Sequence, residues 1–286
     1  MKLNIQMKVA RVRSMVTGRR VQVVVLLALA LACGSALVFW IAPPLGNLSG
    51  LTSIVMAAPV SARTTDPYNE TVTRSVSLEG RVLFTGEPPI GSPVDMGSDP
   101  YCANRNSGMP VLSEPVELGP NGALKNVLVY VREGLDGSAH PPPAEPVVLD
   151  QQGCWYRPRV LALQVGQTLV IRNSDNTFHN VRVSPQANRG FNLAQPLNGI
   201  EAKRTFGLPE LGIEAVCDVH NWMQAHLAVF DHPYFAVTGA DGAFTIQGLP
   251  IGEYVIEAWH PALGTLSQNL VLEQEGSVGL SFTFAW

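Results

Sequence analysis

The sequence predicts an all-β body carried behind one N-terminal transmembrane helix. Three observations lead there. The 286 residues include 26 glycines and 22 prolines, and no long helical periodicity appears beyond the N-terminus. Short apolar runs alternate instead, as in "ALKNVLVYV" (123–131), where Val127, Val129 and Val131 alternate with Leu128 and Tyr130. Turn-rich chains built from such runs favour sheets. The exception is "VQVVVLLALALACGSALVFWIA" (21–42), which holds no charge and is long enough to cross about 30 Å of hydrocarbon as a helix.

Lys2, Lys8, Arg11, Arg13, Arg19 and Arg20 give residues 1–20 a charge of +6 with no acid. The formal charge of the whole chain is −4, so the rest carries −10. The basic tail is expected to stay in the cytoplasm, residues 21–42 to anchor the chain in the inner membrane, and the body to face the periplasm. The alternative is a cleaved signal peptide and a soluble periplasmic protein; "VMA" (55–57) and "VSA" (60–62) are possible cleavage sequences, far from the apolar end. Cys33 falls inside the apolar stretch and reads as a membrane-buried thiol. The acidic body argues against nucleic acid as a partner, since phosphate binding needs clustered Lys and Arg.

Residues 43–74, opening on Pro43 and Pro44, read as a linker. Strands are expected within "SVSLEGRVLFTGEPP" (75–89) and at 123–131, with an irregular stretch between them at 90–122. The prolines of "AHPPPAEP" (139–146) mark a break. Two or three strands are expected in 146–183, separated by Pro158 and Gly166 and followed by a polar turn and His179. Short strands and turns continue over 191–220. Beyond 230 a new unit begins, in which Ala240-Asp241-Gly242 reads as a hairpin, Leu249 to Glu253 as a turn, and "LSQNLVLEQ" and "GLSFTFAW" as the closing strands.

The chemistry concentrates in "AVCDVHNWMQAHLAVF" (215–230). Cys217, His220 and Met223 stand at steps of three in a chain with only 4 cysteines and 6 histidines. Thiolate, imidazole and thioether form a soft ligand set that suits copper, and a trigonal site asks for a second imidazole. His179, 38 positions before Cys217, supplies it in principle if two loops meet at one end of a sandwich. A thioether is a poor zinc ligand, which disfavours zinc. Taken singly, a buried cysteine beside a core methionine is commonplace. His226 is expected at the surface, and His140, His232 and His260 to be structural. Asn180 is a candidate to support the Cys217 loop from behind the ligands, or simply a turn residue. Cys102 and Cys154, in an exported body, are expected to pair as a disulfide.

"VVLDQQGCWYRPRVLALQVGQTLVIRNSDNTFHNV" resembles the first half of a cupredoxin, an amicyanin- or plastocyanin-like blue copper protein, and "IEAVCDVHNWMQAHLAVF" resembles its ligand loop and last strand. The resemblance covers about 146–231. It implies a Greek-key sandwich holding one type 1 copper, with His179, Cys217 and His220 as equatorial ligands and Met223 as the axial one. It also implies a surface-exposed His220 through which electrons leave, and a docking patch of Val219, Asn221 and Trp222 for redox protein partners. Asn221 departs from the pattern, standing where short loops of this kind usually carry proline. "DGAFTIQGLPIGEYVIEAWH" (241–260), with "GRVLFTGEPP" and "LKNVLVYV", resembles a carboxypeptidase regulatory-like (transthyretin-like) sandwich. The expected organisation is therefore a discontinuous sandwich, 75–138 and 232–286, with the cupredoxin domain, 139–231, inserted. The other arrangement is a cupredoxin with an N-terminal extension and a separate small C-terminal domain.

These expectations point to one-electron transfer by a membrane-anchored protein that is not an enzyme, since no H-x-H pair of the kind used in multicopper catalysis occurs. Copper storage or delivery, and a metal-free adhesion or scaffold module, are the two competing classes.

Overall fold

The computed structural model describes residues 75–286 apart from Met109. The expected basic tail, membrane span and linker (1–74) lie outside the described residues. No helix among the described residues is long and apolar enough to cross a membrane.

The body is nearly all β. The described residues open with β1 (Ser75–Thr85) and pass through a small ladder, β2 (Ser92–Pro93) and β3 (Leu112–Ser113), with helix α1 (Pro100–Arg105) between its strands. The chain then returns in β4 (Leu128–Glu133). A second run holds β5 (Val147–Gln151), β6 (Tyr156–Arg157), β7 (Val160–Gln164), β8 (Leu169–Asn173) and β9 (His179–Val183). It continues through β10 (Phe191–Gln195), β11 (Glu201–Arg204), β12 (Glu210–Val216) and β13 (Gln224–Phe230). The chain ends in β14 (Phe235–Val237), β15 (Ala243–Pro250), β16 (Gly252–His260), β17 (Gly264–Leu272) and β18 (Gly276–Ala285).

Strands from the two ends of the described chain share sheets. One sheet runs β15-β1-β18 and another β14-β4-β16-β17. Val76, Leu78, Val82 and Phe84 alternate along β1 and pack with Ile246, Phe282, Val129, Val131 and Ile256, which closes these sheets into one sandwich. β1 lies antiparallel to β15 and parallel to β18. Gly80 allows this crowding: a Cβ there would stand 1.7 Å from the Leu280 carbonyl oxygen.

The second sandwich pairs β10-β9-β12-β13-β7 with β11-β8-β5-β6. Leu149, Leu163, Leu169, Ile171, Val181, Ile213 and Leu227 fill it, together with Cys217 and Met223. The sandwiches touch through Leu128, Tyr130, Val160, Ala228 and Phe230, with the Tyr130 and Phe230 ring centroids 5.0 Å apart.

Five local expectations change. The stretch 90–122 holds α1, whose Asp99 caps the first turn by accepting from the Tyr101 and Cys102 amides ahead of Pro100 at the first helical position. Asp before Pro is the signal that could have found it, since Pro fixes the backbone for that position and has no N–H to lose. Residues 123–127 precede β4 rather than belonging to it. Gly242 does close a turn, its amide bonding Gly239 O at 3.1 Å, but β14 and β15 lie in different sheets, so this is a crossing between layers and not a hairpin. Leu249 to Glu253, expected as a turn, is strand except at Ile251, where the chain passes from β15 to β16 in another sheet. His226 is not at the surface: it is buried between the sandwiches, edge-on to Trp259 at 5.9 Å between centroids.

Candidate metal centre

One end of the second sandwich gathers the sequence-nominated ligands. His179 opens β9, and the 217–223 loop joins β12 to β13. Those two strands pair over Ile213 to Val216, and the loop closes on itself, with Cys217 N–H donating to Met223 O at 3.2 Å and Met223 N–H to His220 O at 2.9 Å. The short step from Cys217 to Met223 is thus a tight turn that folds three soft side chains inward. β12 also bonds to β9, which brings His179 to the same end.

Ligand-type atoms of His179, Cys217 and His220 all lie within 4.8 Å of one another. His179 Nδ1 faces His220 Nδ1 at 2.9 Å, and the Cys217 sulfur lies 3.9 Å from His220 Nδ1. All three side chains are buried, at 0%, 3% and 1% exposure, and Met223 is buried at 1% in the same core cluster as Cys217.

The opposite ring nitrogens are held by carboxylates. His179 Nε2 stands 3.0 Å from Asp175 Oδ2, and His220 Nε2 stands 3.0 Å from Asp99 Oδ2. A carboxylate only accepts, so each Nε2 carries the hydrogen, and in the neutral form of each ring that leaves an Nδ1 lone pair facing inward. Two nitrogen lone pairs and a sulfur then converge in a water-poor space. Such a set repels itself unless a cation lies among the three. A proton answers for one pair of donors; a soft d-block ion answers for all three.

The electrostatics agree. Burial pushes the Cys217 thiol up, but hydrogen bonds from the His179 and His220 rings and from the Asn180 and His220 backbone N–H groups more than offset it, bringing it down to about 5. Cys217 is therefore a thiolate at neutral pH, the state a metal needs. Burial lowers His179, and bonding to Asp175 and Cys217 outweighs that and raises it.

Asn180 supports the loop from behind. Its Oδ1 accepts the Asp218 amide at 2.7 Å and lies 3.3 Å from the Cys217 sulfur, while its Nδ2 donates to Asn192 and Asp218. The Tyr156 hydroxyl donates to Asn180 O at 2.6 Å. Cys102 and Cys154 are joined as a disulfide.

His220 is corrected from surface to buried. Asp99 bonds its ring, Cys102 Sγ lies 4.0 Å from its Nε2, and the Trp222 ring sits beside it at 4.9 Å between centroids. Segment 90–122 covers this end of the sandwich. Of the docking patch, Val219 and Asn221 are exposed and Trp222 is half-buried. Trp222 donates its indole N–H to Cys154 O, and with Trp155 it lines a cavity of about 470 Å³.

Sequence reasoning missed Asp175 and Asp99. Asp175 stands four residues before His179 in "SDNTFH", a local signal that was there to be read. Asp99 is 121 positions from His220, and nothing local announces that pairing.

No model of a protein family matches the chain, and no curated protein matches it. Part of the chain is similar to solved cupredoxin structures. One is a Cu-containing nitrite reductase (NirK) from Thermus scotoductus SA-01, at 22% identity, over 34% of this chain and 25% of that one, with a TM-score of 0.29. Another is a Cu(I) form of an amicyanin variant, at 20% identity, over 34% of this chain and 97% of that one, with a TM-score of 0.27. A third is a purple cupredoxin from Nitrosopumilus maritimus, at 22% identity, over 29% of this chain and 98% of that one, with a TM-score of 0.25. The chain thus spans a quarter of the nitrite reductase, and the likeness reaches about a third of this chain.

Proposed function

We propose that this protein is a single-site blue copper protein that moves one electron at a time between redox partners, rather than an enzyme. The observation that carries this is the convergence of His179, Cys217 and His220, two imidazole Nδ1 atoms and a cysteine sulfur turned toward one another in a buried space. Copper held there would supply a one-electron couple.

The chain's own residues do the rest. Cys217 offers the thiolate, and backbone N–H groups of Asn180 and His220 keep it from needing a proton. Asp175 fixes the His179 ring. Met223, buried in the same cluster as Cys217, would offer its thioether as a further soft donor to the metal. The ligands stand on paired strands β9, β12 and β13 and on a loop bonded to itself, so the cage is formed in advance and little has to move when charge changes. Burial keeps water away from the thiolate. A redox partner is proposed to dock at the ligand loop, on Val219 and Asn221, with the Trp222 ring between the partner and buried His220. The remaining sandwich is proposed to be regulatory-like. Residues 21–42 are proposed as an inner-membrane anchor that holds the body in the periplasm.

The test is the purified protein with added Cu(II). It should bind one copper per chain and show a thiolate-to-copper charge-transfer band, which Cys217→Ala abolishes. A Cys217→Ala protein that keeps its colour would overturn the site. Copper bound without a reversible potential would point to storage or delivery, and no bound metal to a scaffold module.

A further inference from the structure

Asp99 does not belong to the sandwich that holds the ligands. It precedes α1, in the segment between β1 and β4, and it reaches the site across 121 positions of sequence. Its two carboxylate oxygens have separate tasks. Oδ1 takes the backbone N–H groups of Tyr101 and Cys102, at 2.8 and 3.2 Å, and so caps α1. Oδ2 takes the Thr177 hydroxyl at 2.6 Å and faces His220 Nε2 at 3.0 Å. Thr177 sits on the β8–β9 turn that also carries Asp175 and leads into His179. A helix cap alone would leave Oδ2 free; here it is bound from both sides of the site.

The neighbouring contacts hold this carboxylate still. The Tyr101 hydroxyl donates to Asp175 Oδ1 at 3.2 Å, so α1 also touches the carboxylate behind the other imidazole. Asp175 in turn accepts the amides of Gly153 and Cys154, at 2.7 and 2.8 Å. The disulfide from Cys102 to Cys154 ties α1 to that same loop. Asp99 is only 15% exposed, so its charge is poorly screened by water.

We propose that Asp99 is a positioning residue for His220, holding the ring by Nε2–H so that Nδ1 faces Cys217 and His179, and placing a negative charge behind the ligand that favours the more highly charged oxidation state of the bound metal. The proposal rests on the copper site above. A carboxylate hydrogen-bonded to a ligating imidazole makes that ligand more basic and fixes its orientation. A segment outside the ligand sandwich thereby sets the redox balance of the site and closes the imidazole off from solvent.

The experiment compares the full-length copper-loaded protein with Asp99→Asn and Asp99→Ser. Asn and Ser both serve as helix caps, so α1 keeps its first turn while the charge behind His220 is lost. Both variants should still bind one copper and keep the charge-transfer band. The balance between Cu(II) and Cu(I) should move at least tenfold toward Cu(I), a rise in potential of about 59 mV for a one-electron couple. Full copper with an unchanged potential overturns the role of Asp99 and leaves the copper site standing. A wild-type protein that takes up no copper removes both. If the variants do not fold, imidazole nitrogen NMR of the wild-type Cu(I) protein decides: a slowly exchanging proton on His220 Nε2 is expected, and an Nε2 with no proton, or with one in fast exchange with water, overturns the proposal.

Discussion

The two sandwiches fill their interiors with different chemistry. In the one built from β1, β4 and β14–β18, the core cluster is Val, Leu, Ile, Phe and Tyr with an occasional Ala, and few polar side chains, Thr238 and His260 among them, are buried beside it. In the one built from β5–β13, Gln151, Asn173, Asp175, His179, Asn180, Gln195 and His220 are buried as well, and most of them interlock. Gln151 Nε2 donates to Gln195 Oε1 at 2.8 Å, and Asn173 Nδ2 donates to Gln195 O at 2.8 Å and to Thr177 O at 3.0 Å. Burying such groups costs free energy unless each finds a partner. A largely apolar interior serves the fold; an interior that accepts this cost and spends its hydrogen bonds on two imidazole-bearing turns serves a site. The difference teaches where function sits, and it can be broken or sharpened.

The largest separation comes from Phe282→Ala, which empties a position 1% exposed in the apolar sandwich. It should cost about 3–5 kcal/mol by urea unfolding. The charge-transfer band of the folded, copper-loaded fraction should stay where it was. A band displaced by this change would mean that the sandwiches are not separable in function.

The disulfide straddles the comparison, since it ties the segment following β1 to the loop before β6. Its partners are separated by 52 positions. Replacing both Cys102 and Cys154 with alanine should lower stability by about 4 kcal/mol on the chain-entropy account. It should also loosen α1 over His220, seen as faster deuterium exchange of the amides at 100–106. Unchanged exchange there would show that Asp99 and Tyr101 hold the cover without the sulfur bridge.

What the sequence revealed follows the same division. The proposed ligands were legible as candidates because Cys217, His220 and Met223 share one turn and because His179 follows a recognisable strand and turn. β1, β7, β8 and β16 were legible because their apolar residues alternate or run between Gly and Pro. The cover was not read: a six-residue helix has no periodicity to detect, its Asp99-Pro100 start was the one local signal, and the Asp99–His220 contact exists only after two distant segments pack. His226 and His220 were misplaced for one reason, that each is buried by chain outside its own sandwich, through Trp259 and α1 respectively. The turn at 240–242 was found as a turn and the break at Ile251 lies inside the expected 249–253 turn, but which sheet a strand joins after a break depends on long-range pairing that local residues do not encode.

The smallest effect concerns acid, and it sharpens the comparison from the apolar side. His260 ends β16 at 2% exposure, with its Nδ1 accepting the Ala262 amide at 3.2 Å. Burial, with the positive fields of Arg159 and His226, lowers it to about 4, against 6.5 in an open chain. The folded state therefore binds this proton less readily than the unfolded state, so the stability from a neutral His260 is complete above about pH 6.5 and is lost as pH falls toward 4. The full loss is about 3 kcal/mol, of which about 2 kcal/mol is gone at pH 5. Burial also lowers His226 and His232, which adds to the slope in the same direction. His260→Gln cannot take up the proton. The difference in urea stability between wild type and this variant should therefore shrink by about 2 kcal/mol between pH 7 and pH 5, because only wild type loses the His260 contribution. A difference that stays constant over that range would show that His260 is protonated alike in both states, and that the acid response arises elsewhere in the two sandwiches.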